Sequence, residues 1–76
     1  MNNFSKNFNT AIGKRVKERR LSQGLTREKL AYTAFISDKF LYDIEVGNKG
    51  ISAETLYKLK DALGVSSDWL LDGNES

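Results

Sequence analysis

The reactive side chains of this sequence are almost all cations and carboxylates. Histidine and cysteine are both absent. Their absence removes the usual zinc and iron ligands, the usual general base and the partner of a serine nucleophile. Ten Asp and Glu remain, but no stretch clusters them as a glycosidase or a divalent-metal site requires. Catalysis and a bound cofactor are therefore not expected. The spacing of the cations says more. Residues 1–29 hold eight Lys or Arg against Glu18 and Glu28, a net of +6, whereas residues 30–76 hold four lysines against eight acids, a net of −4. Such asymmetry implies a basic face for a polyanion, with the other half turned to solvent or a partner. A solvated helix that happens to be basic gives the same count.

These cations must be carried by elements short enough for 76 residues, a length that holds one domain and only a modest core, so that a partner subunit would help. Residues 1–9 are polar and asparagine-rich around Phe4 and Phe8, and read as a flexible arm able to order against a partner. From Thr10 the pattern is helical, with Ile12, Val16 and Arg20 along one stripe, until Gln23-Gly24 stops it. Thr26 caps a short second helix that turns Leu30, Ala31 and Ala34 inward. Phe35-Ile36 is a brief connection, Ser37 caps the third helix with Asp38 in its first turn, and Leu41 and Ile44 face the core. The loop Gly47-Asn48-Lys49-Gly50 is built from turn residues. Ser52 begins a fourth helix with Leu56, Leu59 and Leu63 on one face, and Gly64 stops it. Ser66 or Ser67 caps a last short helix through Leu71, and 74–76 is a frayed tail.

The expected fold is all-α: five short helices over 10–73 in a compact bundle. Two short helices flanking a tight connection, the second followed by a glycine loop, have helix-turn-helix spacing. In that motif the first helix braces on the DNA backbone and the second enters the major groove. No apolar run reaches the roughly 18 residues that cross a bilayer, and no export signal is visible. A cytoplasmic, nucleoid-associated protein that does not engage membranes is expected.

The sequence resembles the phage lambda and 434 type repressors and the related xenobiotic-response-element regulators. The resemblance rests on three segments in the family's order: Gly24 to Ala31, Ile36-Ser37 through Glu45-Val46-Gly47, and Ala62 to Leu71. It implies a lambda repressor-like five-helix domain with helices two and three as the motif. It also implies a core of Ile12, Val16, Leu25, Leu30, Ala31, Ile36, Leu41, Ile44, Leu56, Leu59, Leu63, Val65 and Leu70. Trp69 is read as core packing; partly exposed, it would fit the dimer contact that relatives make with their last helix. Arg20 and Glu45 fall where relatives place an ion pair joining the first helix to the end of the third.

The resemblance also locates a DNA-reading surface: Thr26 and Arg27; Ser37, Asp38, Lys39, Tyr42 and Asp43; and Asn48 and Lys49. Arg27 can reach a phosphate or a guanine edge, Lys39 can donate to guanine O6 and N7, and Asn48 and Lys49 suit phosphate. Asp38 is read as capping its helix and bridging to Lys39. Asp43 either reads a base, cytosine N4 being the natural donor, or marks a helix that is not a conventional reader. The family usually has glutamine where Arg27 stands and often glycine where Phe35 stands. Phenylalanine disfavours positive φ, so the turn is expected to be remodelled or the ring to pack on the bundle. The function implied is a sequence-specific regulator, a repressor binding a palindromic double-stranded operator as a homodimer. The competing reading is an interaction module whose acidic third helix meets a toxin, an antagonist or another regulator.

Overall fold

Four of the five helix starts among the described residues are set by hydroxyl side chains. Thr26 accepts a hydrogen bond from the Lys29 amide, Ser37 from Phe40, Ser52 from Thr55 and Ser66 from Trp69. Each satisfies one of the amides that a helix leaves unpaired in its first turn. The computed structural model describes residues 3–74 and places five helices there: α1 (Phe4–Ser22), α2 (Arg27–Ala34), α3 (Asp38–Glu45), α4 (Ala53–Leu63) and α5 (Ser67–Asp72). Of the two serines open to cap α5, Ser66 does so.

The N-terminal segment departs from expectation. Met1 and Asn2 lie outside the described residues, but from Phe4 the chain is already in α1 rather than in an arm ending at Asn9. Phe4 and Phe8 stand one helical turn apart and their rings stack with centroids 5.6 Å apart, a pairing that only helical spacing brings together. The asparagine content, which suggests disorder, is outweighed by this pair and by continuity with the strong helix behind it.

α1 lies across α3, α4 and α5; α2 packs on α3 and α4, and α4 on α5. The enclosed core is Ile12, Val16, Leu30, Ala31, Ala34, Leu41, Ile44, Leu59, Leu63 and Leu70. Leu25, Ile36, Leu56, Val65, Trp69 and Leu71 pack at its edge, half-buried. On α4 the innermost line is Thr55, Leu59 and Leu63, which displaces Leu56 from the centre to the rim. The buried Thr55 hydroxyl is satisfied by donation from Ser52 Oγ at 3.1 Å.

Two features fix α3 against α1. A Cβ at Gly13 would run into the carbonyl oxygen of Ile44 and lie 2.9 Å from that of Glu45. The missing side chain thus lets the α1 backbone touch the end of α3. Beside this contact Arg20 grips Glu45 with a fork, Nε to Oε2 at 2.7 Å and Nη2 to Oε1 at 3.0 Å, while its Nη1 donates to the Leu25 carbonyl at 2.9 Å. A bidentate, charge-assisted pair of this kind fixes orientation as well as distance. Arg15 closes the opposite end by donating to the Leu70 and Leu71 carbonyls at 2.9 and 3.0 Å, so the exposed C-terminal carbonyls of α5 meet a cation from α1.

Candidate nucleic-acid interface

The α2–α3 turn sets the relative placement of the two motif helices. The Ile36 amide donates to the Ala31 carbonyl at 3.0 Å and the Phe35 amide to Tyr32 at 3.2 Å, closing α2 with Phe35 in the left-handed region at φ 60°, ψ 42°. Among the described residues Phe35 alone holds positive φ without being glycine. The residue is 83% exposed. The turn is therefore neither remodelled nor relieved by packing the ring: the closing hydrogen bonds hold the backbone where glycine would sit, at a cost of about 1–2 kcal/mol.

With that turn in place, the first residues of α2 and α3 come together. Arg27 Nε donates to Asp38 Oδ1 at 2.7 Å, and Nη2 reaches Oδ2 at 3.4 Å. The Arg27 guanidinium carbon also stands 5.2 Å from the centre of the Tyr42 ring, within cation–π range. Asp38 thus engages Arg27 on the preceding helix, not Lys39 beside it. The hydrogen bond from Arg27 holds the Asp38 carboxyl below its ordinary range, and the same bond raises the already high pKa of Arg27.

Lys39 turns back to Asp43, one helical turn on, with Nζ 2.9 Å from Oδ2. Lys39 remains 78% exposed while the Asp43 side chain is only 8% exposed. Hydrogen bonding from Lys39 lowers the Asp43 pKa, burial opposes it, and Asn48 and Lys49 add to the lowering. The Asp43 carbonyl meanwhile accepts from the Asn48 amide at 2.8 Å and the Lys49 amide at 3.3 Å. Asp43 therefore anchors the loop after α3 through both its side chain and its backbone. Its carboxylate is paired with Lys39 and largely covered, not held out toward solvent.

Of the residues singled out from sequence, Arg27, Asp38 and Tyr42 form one cluster, and Lys39, Asp43, Asn48 and Lys49 a second beside it. Thr26 and Ser37 spend an oxygen lone pair on capping. Sequence reasoning missed Gly13, whose signal was a glycine inside a helix, where it costs about 1 kcal/mol and needs a packing reason. It also missed the Arg15 cap on α5, made over 55 and 56 residues, and the Arg27–Asp38 pair. The signal for that pair was opposite charge at the first positions of two successive helices. The N-terminal basic half is consequently less available than its charge implies, since Arg15 and Arg20 are spent inside the fold.

Comparison with known proteins gives a consistent picture. A family model described as a helix-turn-helix domain matches residues 13–76. The control protein C.BamHI of Bacillus amyloliquefaciens is 33% identical over 70 residues, covering 91% of this chain and 86% of that protein. Among solved structures, the restriction-modification controller protein C.AhdI from Aeromonas hydrophila superposes with a TM-score of 0.79 at 27% identity, over 82% of this chain and 94% of that one. The P22 c2 repressor protein in complex with a synthetic operator gives the same TM-score of 0.79, again at 27% identity, over 83% and 96% of the two chains.

Proposed function

The chain belongs to the helix-turn-helix domain family, and from that premise we propose that it is a transcriptional repressor that binds a palindromic operator as a homodimer. The observation that carries this reading is the juxtaposition of the α2 and α3 N-termini through the Arg27–Asp38 pair, with Arg27 half-exposed and Lys39 exposed, and with α3 fixed from behind by Gly13 and the Arg20–Glu45 fork. Helix N-termini present unpaired amides and positive potential to phosphate, while an arginine and a lysine on the outer face suit guanine acceptors. Asn48 and Lys49, in the loop anchored by Asp43, suit backbone contacts that set register. The half-buried Trp69 and Leu71 of α5 offer the apolar contact for a second subunit, which would space two α3 helices about one turn of DNA apart. The known similarity to the P22 c2 repressor, itself solved with operator DNA, supports DNA as the partner.

Nothing in this role calls for a catalytic step or a cofactor. Among the described residues no helix is long and apolar enough to cross a membrane, and the reading places the protein in the cytoplasm with the nucleoid. The alternative, an acidic α3 docked on a toxin or antagonist, drew on Asp38, Asp43 and Glu45. Each of these carboxylates is engaged by a cation of the same chain, so α3 offers no free acidic strip.

Binding-site selection from a random duplex library at moderate salt tests the proposal. An inverted repeat with half-sites about one helical turn apart is the expected result; retention without any motif, by folded protein, overturns it. Lys49→Ala should weaken all sequences alike and flatten the salt dependence by about one counterion, whereas Lys39→Ala should alter preference at one base position.

A further inference from the structure

The Arg27–Asp38 contact leaves a defined part of the guanidinium free. A guanidinium carries five N–H donors in a rigid plane. Asp38 takes the side edge, through Nε at 2.7 Å and Nη2 at 3.4 Å. The end edge, made of Nη1 and the outer Nη2 hydrogen, meets no acceptor among the described residues. The Tyr42 ring lies beside the guanidinium, its centre 5.2 Å from the guanidinium carbon, and the two-point contact with Asp38 sets the orientation of the plane. The group is aimed, and with the Arg27 side chain 39% exposed it remains accessible.

The geometry points to Arg27 as the residue that reads a guanine in the operator's major groove, with Asp38 as its positioning residue. This deepens the reading of the chain as a sequence-specific regulator and rests on it. An arginine end edge forks equally well onto guanine O6 and N7 or onto two phosphate oxygens. The neighbouring carboxylate decides between them. A phosphate drawn to Arg27 would also approach the anionic Asp38, and the pair's cancelled charge gives it little net pull on a polyanion. A guanine edge is a neutral double acceptor, so the fork keeps its hydrogen bonds and Asp38 costs little. Asp38 also retains lone pairs able to accept from a cytosine N4 amino group.

The experiment is quantitative binding of the full chain, wild type and variants, to the selected operator and to its single-base changes, with thermal unfolding of each variant recorded alongside. Arg27→Lys keeps the charge and removes the fork. It should lower the preference for guanine at one position of each half-site by a factor of about 10 or more, with no change in the salt slope. Replacing that guanine by 7-deazaguanine, which lacks the N7 acceptor, should weaken the wild type and leave Arg27→Ala, which has no donor there, indifferent, a difference that a purely structural role would not produce. Asp38→Asn should reduce the preference at the same position and at no other. If Arg27→Lys or Arg27→Ala instead weakens every sequence equally, or 7-deazaguanine at every selected guanine is tolerated by the wild type, Arg27 contacts phosphate and the assignment fails while the regulator reading stands. A wild type that selects no motif at all overturns both.

Discussion

Arg20 and Glu45 meet with their side chains 9% and 4% exposed, whereas Arg27 and Asp38 meet at 39% and 42%. Both pairs join an arginine outside α3 to a carboxylate on it, one at each end of the helix, and the shortest contact in each is 2.7 Å. They differ in what is left over. In the buried pair the remaining nitrogen, Nη1, donates to the Leu25 carbonyl, so all three guanidinium nitrogens of Arg20 have an acceptor within the fold. In the outer pair an edge stays open. The same two side chains therefore serve as a fastening at one end of α3 and as an aimed donor at the other, and solvent exposure with residual hydrogen-bonding capacity distinguishes the two.

Truncating one partner of each pair gives the sharpest test. Glu45→Ala should destabilise the fold by about 3 kcal/mol, because it strands the Arg20 charge in a dry site. Asp38→Ala should leave the unfolding midpoint within the scatter of ordinary surface changes, since exposed pairs contribute little. Urea denaturation of both variants decides the matter; equal losses would erase the distinction. Gly13→Ala attacks the buried end through backbone contact instead of charge. It should cost about 2–3 kcal/mol by overpacking, read in the same assay, and a neutral outcome would mean that α1 and α3 can separate freely.

At the outer end Phe35→Gly should stabilise the protein by about 0.5–1 kcal/mol. Relief of the positive φ exceeds the entropy that glycine adds to the unfolded chain. A lower melting temperature in Phe35→Gly would show that the exposed ring contributes a contact. The smallest effect concerns acid. Asp38 titrates below its ordinary value when folded, so its pairing stabilises above the unfolded carboxyl range and is lost as pH falls through the folded value. Unfolding midpoints measured from pH 6 down to pH 2 should accordingly decline less steeply at the acid end in Asp38→Asn than in the wild type.

What could be read from the sequence was what is encoded locally. Thr26, Ser37 and Ser52 cap helices because the bond runs to an amide three residues away, and the core stripes of α3 and α4 follow from helical period. The family segments supplied the fold and the position of the Arg20–Glu45 pair. What escaped was either non-local or a conflict of local signals. Arg15 reaches the end of the chain's last helix, and Arg27 finds Asp38 across a turn; neither spacing has a periodic signature. At residues 4–9 asparagine composition argued against the i, i+4 phenylalanine pair, and the pair prevails. At Phe35 residue preference argued against the left-handed conformation, and the turn's hydrogen bonds prevail. Asp43 was expected on the exposed face of α3; its side chain is instead covered and paired with Lys39, beside the loop whose amides its carbonyl binds.

The eight residues of α3 divide sharply by face. Leu41, Asp43, Ile44 and Glu45 are buried, while Lys39 and Tyr42 stand exposed. Substitutions at 42 consequently draw little on the stability that holds α3 in place, those at 39 draw on it through the covered Asp43 carboxylate that Lys39 pairs, and those at 41, 44 and 45 draw on it heavily. Under the proposed role, target preference is written mainly on the exposed positions of α3 and the placement of the helix on its buried ones, so the two can change separately.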